Sequence, residues 1–402
     1  MPTLKANRFV PQKPSSRGEL SCNVALLTLP SPIQMPSLQD SRTKIATARL
    51  ALLFCVFFLI ACGLGYPVLS RFDPRQTPGL SDVKIYASLV TGTASPDAGH
   101  VRFRVLVPWL AKPFYQLAQG RFATWDPVMF GLLVADSLFV AGTAVLIVIV
   151  GVVLGTSLGA SLGNRQLGSS AVGLVGALLY LVNFAVPNLR LVGLVDAGEG
   201  FFLLALLWSL LEFELWALPV IAVLGALTKE SFIPFSMALT SAWWFSTWPD
   251  RNADHRNDDQ RNEDRNHARN HYWPDAAWIL TSWMLSLSAM VGLQWAITGR
   301  FASPLQFGLA LHRGDGYLGH FASSVHDRSL WYIFLWLLPT AIPHLKRLPK
   351  AWLIPVGATC AMAFVLDAYF GGAPGTVGRA LFSIAGPVLS LSSALLLLRI
   401  SV

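Results

Sequence analysis

Charge is scarce in this sequence of 402 residues. Only 13% of the residues are Asp, Glu, Lys or Arg, whereas 53% are hydrophobic, and the mean hydropathy is +0.52. A typical soluble domain carries about 25% charged residues. Several apolar runs approach or exceed the roughly 20 residues that a helix needs to cross a bilayer. The composition therefore predicts a polytopic membrane protein.

Cysteine is also rare, and its spacing is not that of a metal site. The four cysteines are Cys22, Cys55, Cys62 and Cys360, and three of them lie in apolar segments. This pattern supports neither a disulfide framework nor a zinc site. The sequence "LIAC" at 59–62 resembles a lipobox, so acylation of Cys62 after cleavage is one alternative.

The net charge of +8 does not indicate a nucleic-acid-binding protein. The sequence has no basic face with interleaved aromatic residues, and its positive residues are spread over the loops. Cytoplasmic loops of membrane proteins are enriched in Lys and Arg. The basic residues before and at the start of the first apolar run therefore predict a cytoplasmic N-terminus, and alternation of the spans predicts a cytoplasmic C-terminus.

The apolar runs predict an all-α helical bundle with about ten transmembrane helices, because lipid satisfies no backbone hydrogen bonds. The predicted spans are 48–68, 128–155, 170–187, 200–213, 215–228, 231–248, 273–298, 330–343, 351–370 and 380–400. Residues 1–46 are predicted to be a disordered basic cytoplasmic tail, and 47–400 to form the transmembrane domain. Segments 69–127 and 299–329 are predicted as extracytoplasmic loops.

The segment 249–272 is of low complexity and repeats Arg-Asn between acidic residues. Its charges nearly cancel, and apolar residues are almost absent. Such a composition is typical of a solvated linker, which we predict to be cytoplasmic. The histidines His255, His267 and His271 share no helical spacing that would bring them together on a metal ion.

Basic and apolar residues alternate at the centre of the first loop, where His100, Arg102 and Arg104 are interleaved with Val101 and Phe103. The period of two predicts an extended segment with one basic face. The apolar, aromatic run from Val105 predicts a helix lying at the membrane interface. The arginines could simply anchor the loop to lipid phosphates, or they could bind a specific phosphate or pyrophosphate, because guanidinium matches such oxygens.

The predicted topology places other ionisable residues on the same outer side of the membrane. They are Asp82, Asp196, Glu199, Lys229, Glu230 and Arg379. Ionisable groups flanked by so much apolar sequence are costly and indicate a site. Each also has a structural explanation: the first three could cap helix N-termini, Lys229 and Glu230 could form a wet hairpin tip, and Arg379 could snorkel to the interface.

Three motifs carry a resemblance to a known superfamily. They are "RFRVLVPWLAKPF" at 102–114, "LTKESF" at 227–232 and "GRALFSIAGPVLSL" at 378–391. Together they resemble a group of bacterial polytopic proteins similar to the GT-C superfamily of membrane glycosyltransferases. The resemblance implies a GT-C-like bundle in a bacterial inner membrane, with a long first extracytoplasmic loop. It also implies transfer of a sugar from a polyprenyl-phosphate donor to an acceptor at the outer face.

The resemblance also assigns roles to residues. Asp82 best matches the catalytic acid of the first loop, and Asp73 is its competitor. The expected substrate-binding residues are His100, Arg102, Arg104, Asp196, Glu199, Lys229, Glu230 and Arg379. The expected partners are membrane lipid and a polyprenyl-phosphate-linked sugar, and no cofactor is expected. Asp196 and Glu199 could hold a divalent metal, although the chemistry does not require one.

Two other functions fit the same residues. A transporter or flippase for an anionic lipid or lipid-linked sugar would also place basic residues beside apolar helices. A non-catalytic membrane protein is the third interpretation. A charged set near the middle of the bilayer would favour transport, whereas one at the outer mouth favours surface chemistry.

Overall fold

The computed structural model describes residues 47–71, 81–93, 99–121, 124–161, 169–253, 261–300, 316–370 and 375–398, and these residues contain helices and no strands. The all-α prediction is confirmed for this part of the chain. The predicted tail 1–46 and the competitor acid Asp73 lie outside the described residues.

Fourteen α-helices make up the described fold. They are α1 Thr47–Arg71, α2 Ser81–Thr91, α3 Leu106–Ala118, α4 Pro127–Ser161, α5 Ser169–Leu181, α6 Asp196–Leu211, α7 Leu218–Thr228, α8 Phe232–Ala253, α9 Arg261–Thr298, α10 Gly316–His326, α11 Arg328–Phe334, α12 Leu337–Leu345, α13 Lys350–Phe370 and α14 Thr376–Leu397. Short helical turns at Gly99–Phe103, Val186–Arg190 and Leu215–Ala217 connect some of them.

Five described helices are long and apolar enough to cross a membrane: α1, α4, the part of α9 from Asp275 to Thr298, α13 and α14. The protein is therefore a helical, multi-pass membrane protein. The predicted count of about ten is not reached, because several apolar runs form shorter helices. The runs 200–213 and 215–228 become α6 and α7, of 16 and 11 residues, and 330–343 is divided between α11 and α12.

The helices differ in how deeply they are packed. In the apolar stretch of α14, 83% of the residues are buried, and in that of α4 78%, whereas the value for the span of α9 is only 22%. Helix α6 is buried along almost its whole length. Helices α4, α6 and α14 therefore form the centre of the bundle, and α1, α9 and α13 turn apolar faces such as those of Leu59 and Met284 outward.

The described residues of the predicted first loop, 69–127, are largely helical. The prediction of an extended segment around His100 is wrong, because Gly99–Phe103 is a 3₁₀ helix that begins at a glycine with φ +58°. Val101 and Phe103 are nonetheless buried, so the alternation correctly marked the inward residues, but five residues are too few to distinguish the backbone conformations. The helix predicted from Val105 is present as α3.

Helix α3 packs against the start of α4. A Cβ atom at Gly131 would lie 2.7 Å from the carbonyl oxygen of Ala111, so only glycine permits this approach. Trp109, on the opposite side of α3, is 54% exposed. The first loop is thereby fixed to the helical bundle, while its position at a membrane interface stays a prediction.

The polar segment 249–272 is helical in its described parts. Helix α8 continues to Ala253, and α9 begins at Arg261. The described residues of the predicted linker therefore continue the two apolar helices on either side of it.

Candidate functional site

Charged side chains meet at one end of the bundle, where α6, α8 and α14 begin and α7 ends. They form two neighbouring groups. The rim cluster consists of Asp82, Tyr86, His100, Arg104 and Glu230. The buried cluster consists of Arg190, Asp196, Glu199, Lys229, Ser231, Arg379 and Ser383.

The local sequence explains how α6, α7 and α8 position these residues. Asp196 and Glu199 lie in the first turn of α6, where the helix dipole favours negative charge. Helices α6 and α7 form a hairpin that returns the chain to the same end. There Lys229 adopts an extended backbone conformation (φ −161°, ψ 138°) and separates α7 from α8. The N–H of Val105 donates to the carbonyl of Leu227 over 3.0 Å, which fastens the first loop to this turn.

Arg104 is the centre of the rim cluster. Its guanidinium makes a two-pronged contact with Glu230, in which Nε donates to Oε2 over 2.7 Å and Nη2 donates to Oε1. Its Nη1 donates to Asp82 Oδ2 over 3.2 Å and to the Tyr86 hydroxyl over 2.8 Å. The Arg104 side chain is only 9% exposed, but Asp82 and Glu230 are each 36% exposed. The acids therefore reach solvent while the arginine does not.

The pKa values in the rim cluster follow from this pairing. Burial opposes the charged form of Glu230, but Arg104 outweighs it and lowers the pKa of that carboxyl to about 2. Burial likewise opposes the charge of Arg104, and Glu230 raises its pKa well above the ordinary value. Burial raises the pKa of Tyr86. Glu230 is thus anionic, and Tyr86 is a neutral phenol, at physiological pH.

Lys229 is the centre of the buried cluster. Its Nζ donates to Asp196 Oδ1 over 2.7 Å and to Glu199 Oε2 over 3.0 Å. Both carboxylates are almost fully buried, at 4% and 0% exposure. Burial would lower the pKa of Lys229, but Asp196 and Glu199 raise it. The Ser231 hydroxyl donates to the second oxygen of Glu199.

Two arginines complete the buried cluster. Arg190 donates to the backbone carbonyls of Asp196 and Arg379 and to the Ser383 hydroxyl. It thereby ties α6 to α14. The Arg379 guanidinium lies 3.7 Å from Asp196 Oδ2, too far for a hydrogen bond. Three cations in this cluster face two carboxylates, which leaves one positive charge in excess.

The structure brings most of the predicted site residues together. Asp82, His100, Arg104 and Glu230 lie in the rim cluster, with His100 Nε2 3.5 Å from Glu230 Oε1, while Asp196, Glu199, Lys229 and Arg379 lie in the buried cluster. Arg102 instead places its guanidinium over the Phe103 ring, 4.9 Å from the centroid. Lys229 is 9% exposed, so the alternative of a wet hairpin tip is wrong for this residue.

Sequence reasoning missed several residues of the two clusters. Arg190 is a lone base in the apolar stretch 171–195, and this alone marks it as unusual. Tyr86 follows Asp82 by four residues, which places both on one face of α2. Ser231 and Ser383 carried no signal, because serine is common in this chain and hydrogen bonding by a hydroxyl leaves no trace in the sequence.

The two buried carboxylates are already paired with a cation. Lys229 lies between Asp196 and Glu199, where a divalent metal held by both would have to bind. Among the described residues, no group of three or more His, Cys, Asp or Glu side chains is suited to a metal ion. The possible metal role of Asp196 and Glu199 therefore has no geometric support in this part of the chain.

Comparison of the chain with protein-family models, with curated proteins and with solved structures gives no match. The resemblance to GT-C glycosyltransferases therefore stays a prediction. What the protein does has to be argued from the two clusters themselves.

Proposed function

We propose that this protein is an integral membrane glycosyltransferase that moves a sugar from a polyprenyl-phosphate donor to an acceptor at the extracytoplasmic face. The observation that carries the proposal is the juxtaposition of the clusters. Partly exposed carboxylates of the rim cluster lie directly beside a buried cluster with one excess positive charge. Lys229 of the buried cluster and Glu230 of the rim cluster are consecutive residues, so the two environments meet at one peptide bond.

The depth of the clusters supports a lipid-linked substrate. Helix α6 has 16 residues and spans about 24 Å, which is less than the roughly 30 Å of a hydrocarbon core. If its far end reaches the opposite interface, Asp196 lies several ångströms below the near surface. A phosphate attached to a lipid tail can reach such a recess while the tail remains in the membrane.

In the proposed reaction Asp82 is the general base. It accepts the proton of an acceptor hydroxyl as the oxygen forms a bond to the anomeric carbon of the donor sugar. The bond between that carbon and the phosphate oxygen breaks, and polyprenyl phosphate leaves with the electron pair. Arg379 stabilises the negative charge on the leaving phosphate, and Lys229 assists through the one ammonium N–H that its bonds to Asp196 and Glu199 leave unused. Glu199 and Asp196 hold Lys229 in place.

The contacts of Arg104 favour a positioning role over a phosphate-binding one. Its guanidinium already donates hydrogen bonds to Glu230, Asp82 and Tyr86. The Arg379 guanidinium, by contrast, makes no hydrogen bond within the described residues. We therefore assign Arg379 to the phosphate and Arg104 to the orientation of Asp82. His100 and Glu230 would then line the acceptor side of the site, and Arg102 would interact with lipid phosphates.

The remaining parts of the proposal concern the membrane. We propose a bacterial inner membrane, with both termini in the cytoplasm and the two clusters on the opposite side. The excess of Lys and Arg before and at the start of α1 supports this orientation. About ten spans would follow if α5, α6, α7, α8 and the consecutive helices α11 and α12, taken as one span, also cross the membrane.

The decisive experiment is a transfer assay with the purified full-length protein and a panel of polyprenyl-phosphate sugars. Asp82→Asn should lower kcat by about 10²–10⁴-fold, the usual contribution of a general base. Asp126→Asn is the matched control, because Asp126 lies in the same predicted loop and its Oδ1 accepts from the N–H of Val128, a contact that asparagine preserves. No transfer by the wild type, or equal rates for both variants, would refute the proposal.

A second function, flipping of an anionic lipid, is favoured by the shortness of α6 and α7. These helices resemble the broken helices of transporters. Reconstituted vesicles with a labelled polyprenyl-phosphate sugar distinguish the two functions. Movement of the lipid between leaflets without any transfer to an acceptor would support the flippase.

A further inference from the structure

A fully buried acid of α4 belongs to neither cluster. Asp136 is the tenth residue of α4 and is fully buried. Its Oδ2 accepts a hydrogen bond from the backbone N–H of Gly193 over 3.2 Å, and its Oδ1 is buried without a hydrogen-bond partner among the described residues. The structure thus encloses a carboxyl group with a single neutral donor.

Such surroundings favour the neutral acid. A carboxylate in an apolar interior needs a cation or several donors, and without them it takes up a proton. Arg190 and Asp196 are the charged groups that act on Asp136, and their effects on it are opposite. The Arg190 guanidinium donates to Asp196, Arg379 and Ser383 rather than to Asp136. On the side of α1, Cys62 lies near Ser137, the neighbour of Asp136.

The bond to Gly193 gives this acid a structural role. Gly193 has φ +80°, a left-handed conformation that favours glycine, and it lies in the turn between Arg190 and Asp196. A Cβ atom there would lie 3.2 Å from Leu132 and 3.5 Å from Val83. The turn is therefore tightly enclosed, and Asp136 fixes its backbone from the α4 side.

We infer that Asp136 carries a proton and acts as a positioning residue, because its neutral carboxyl group holds the turn that places Arg190 and Asp196 in the buried cluster. A proton on Oδ1 leaves Oδ2 free to accept from Gly193. Loss of that proton would put a second buried negative charge near Asp196. The protonation state does not depend on the proposed function, whereas the effect on catalysis rests on it.

Infrared spectroscopy of the purified full-length protein at neutral pH tests the protonation directly. We expect a carbonyl stretching band of a protonated carboxyl group that moves in D₂O and is missing from Asp136→Asn. Asp196→Asn is the matched control, and its spectrum should retain the band because Asp196 is ionised. A wild-type spectrum without the band, or a band that survives in Asp136→Asn, would overturn the inference.

The positioning role is tested by two substitutions at the same site. Asp136→Asn keeps an oxygen for Gly193 and imitates the neutral acid. Its thermal midpoint should therefore stay within a few degrees of wild type, and its kcat for transfer within about twofold. Asp136→Leu removes the acceptor and should lower kcat at least tenfold. Asp136→Asn behaving as poorly as Asp136→Leu would contradict a neutral acid. If no variant transfers sugar but the band and the thermal midpoints behave as expected, the inference stands and the proposed function fails.

Discussion

The buried and rim clusters use the same kinds of side chain in different surroundings. In the buried cluster, Lys229 and both of its carboxylate partners are shielded, the carboxylates at 4% and 0% exposure. In the rim cluster, Arg104 is as shielded as Lys229, but its two acids are each 36% exposed. The comparison teaches that water can replace a lost partner in the rim cluster and cannot do so in the buried cluster. The same loss should therefore have unequal consequences.

The largest effect is expected for Lys229→Met, which leaves Asp196 and Glu199 buried without their shared cation. Removing one partner of a buried ion pair typically costs about 3–5 kcal/mol. Denaturant unfolding of the protein in detergent should show a loss of this size. Lys112→Met is the control, because Lys112 is exposed on α3 and its loss should be nearly neutral. If Lys229→Met lowered the free energy of unfolding as little as the control does, the buried cluster would be no more sensitive to the loss of a partner than the rim cluster.

A smaller effect is expected for Arg104→Ala. The variant loses hydrogen bonds to charged groups, but Asp82 and Glu230 can then be hydrated, so we expect a loss of about 2 kcal/mol in the same measurement. Arg104→Lys should recover only part of it, because lysine cannot form the two-pronged contact with Glu230. Full recovery by lysine would show that charge alone, rather than geometry, holds the rim cluster.

Acid should weaken the rim cluster through Glu230. The pKa of Glu230 is lowered from its ordinary value of 4.5 to about 2, so its ionisation stabilises the fold above pH 4.5. That stabilisation falls as the pH drops towards 2, because the unfolded chain binds the proton first. The effect should be smaller than that of Arg104→Ala, since Glu230 is partly exposed. The unfolding midpoint measured between pH 6 and pH 2 should fall less in Glu230→Gln than in wild type, and parallel curves would contradict this.

The smallest effect is expected for Tyr86→Phe. The substitution removes only the hydroxyl that accepts from Arg104, a bond worth about 1 kcal/mol, and it preserves the buried ring. Thermal unfolding should show a shift of a few degrees. If the shift equals that of Arg104→Ala, Tyr86 rather than the acids would be the main partner of Arg104.

Much of the fold could be predicted from hydropathy, but the helix boundaries could not. The run 200–228 is apolar almost throughout, yet the chain turns at Glu212–Glu214, where Phe213 adopts a positive φ of 56°. A hydropathy pattern reports how apolar a stretch is and not where its backbone reverses. The 3₁₀ helix before Arg104 escaped prediction for a similar reason, because its inward residues alternate as they would in a strand.

The sequence predicted most of the residues of the candidate site, but it did not predict which of them contact one another. Lone charges in apolar surroundings pointed to Lys229, Asp196 and Arg379, because such charges are costly wherever they lie. The same argument applied to Asp136 and Arg190, which were passed over. Which acid pairs with which base was beyond the sequence, as was the role of Tyr86.

By itself, the sequence determined that this protein is a helical membrane protein and that a few of its charges are exceptional. Hydrophobicity and helix formation are local properties, so they can be read from neighbouring residues. Only the tertiary structure decided that Arg104 pairs with Glu230, 126 positions away, and that Arg190 reaches Ser383, 193 positions away. The physical reason is that an ion pair depends on a few ångströms of separation and on the exclusion of water, and both are set by how distant helices pack.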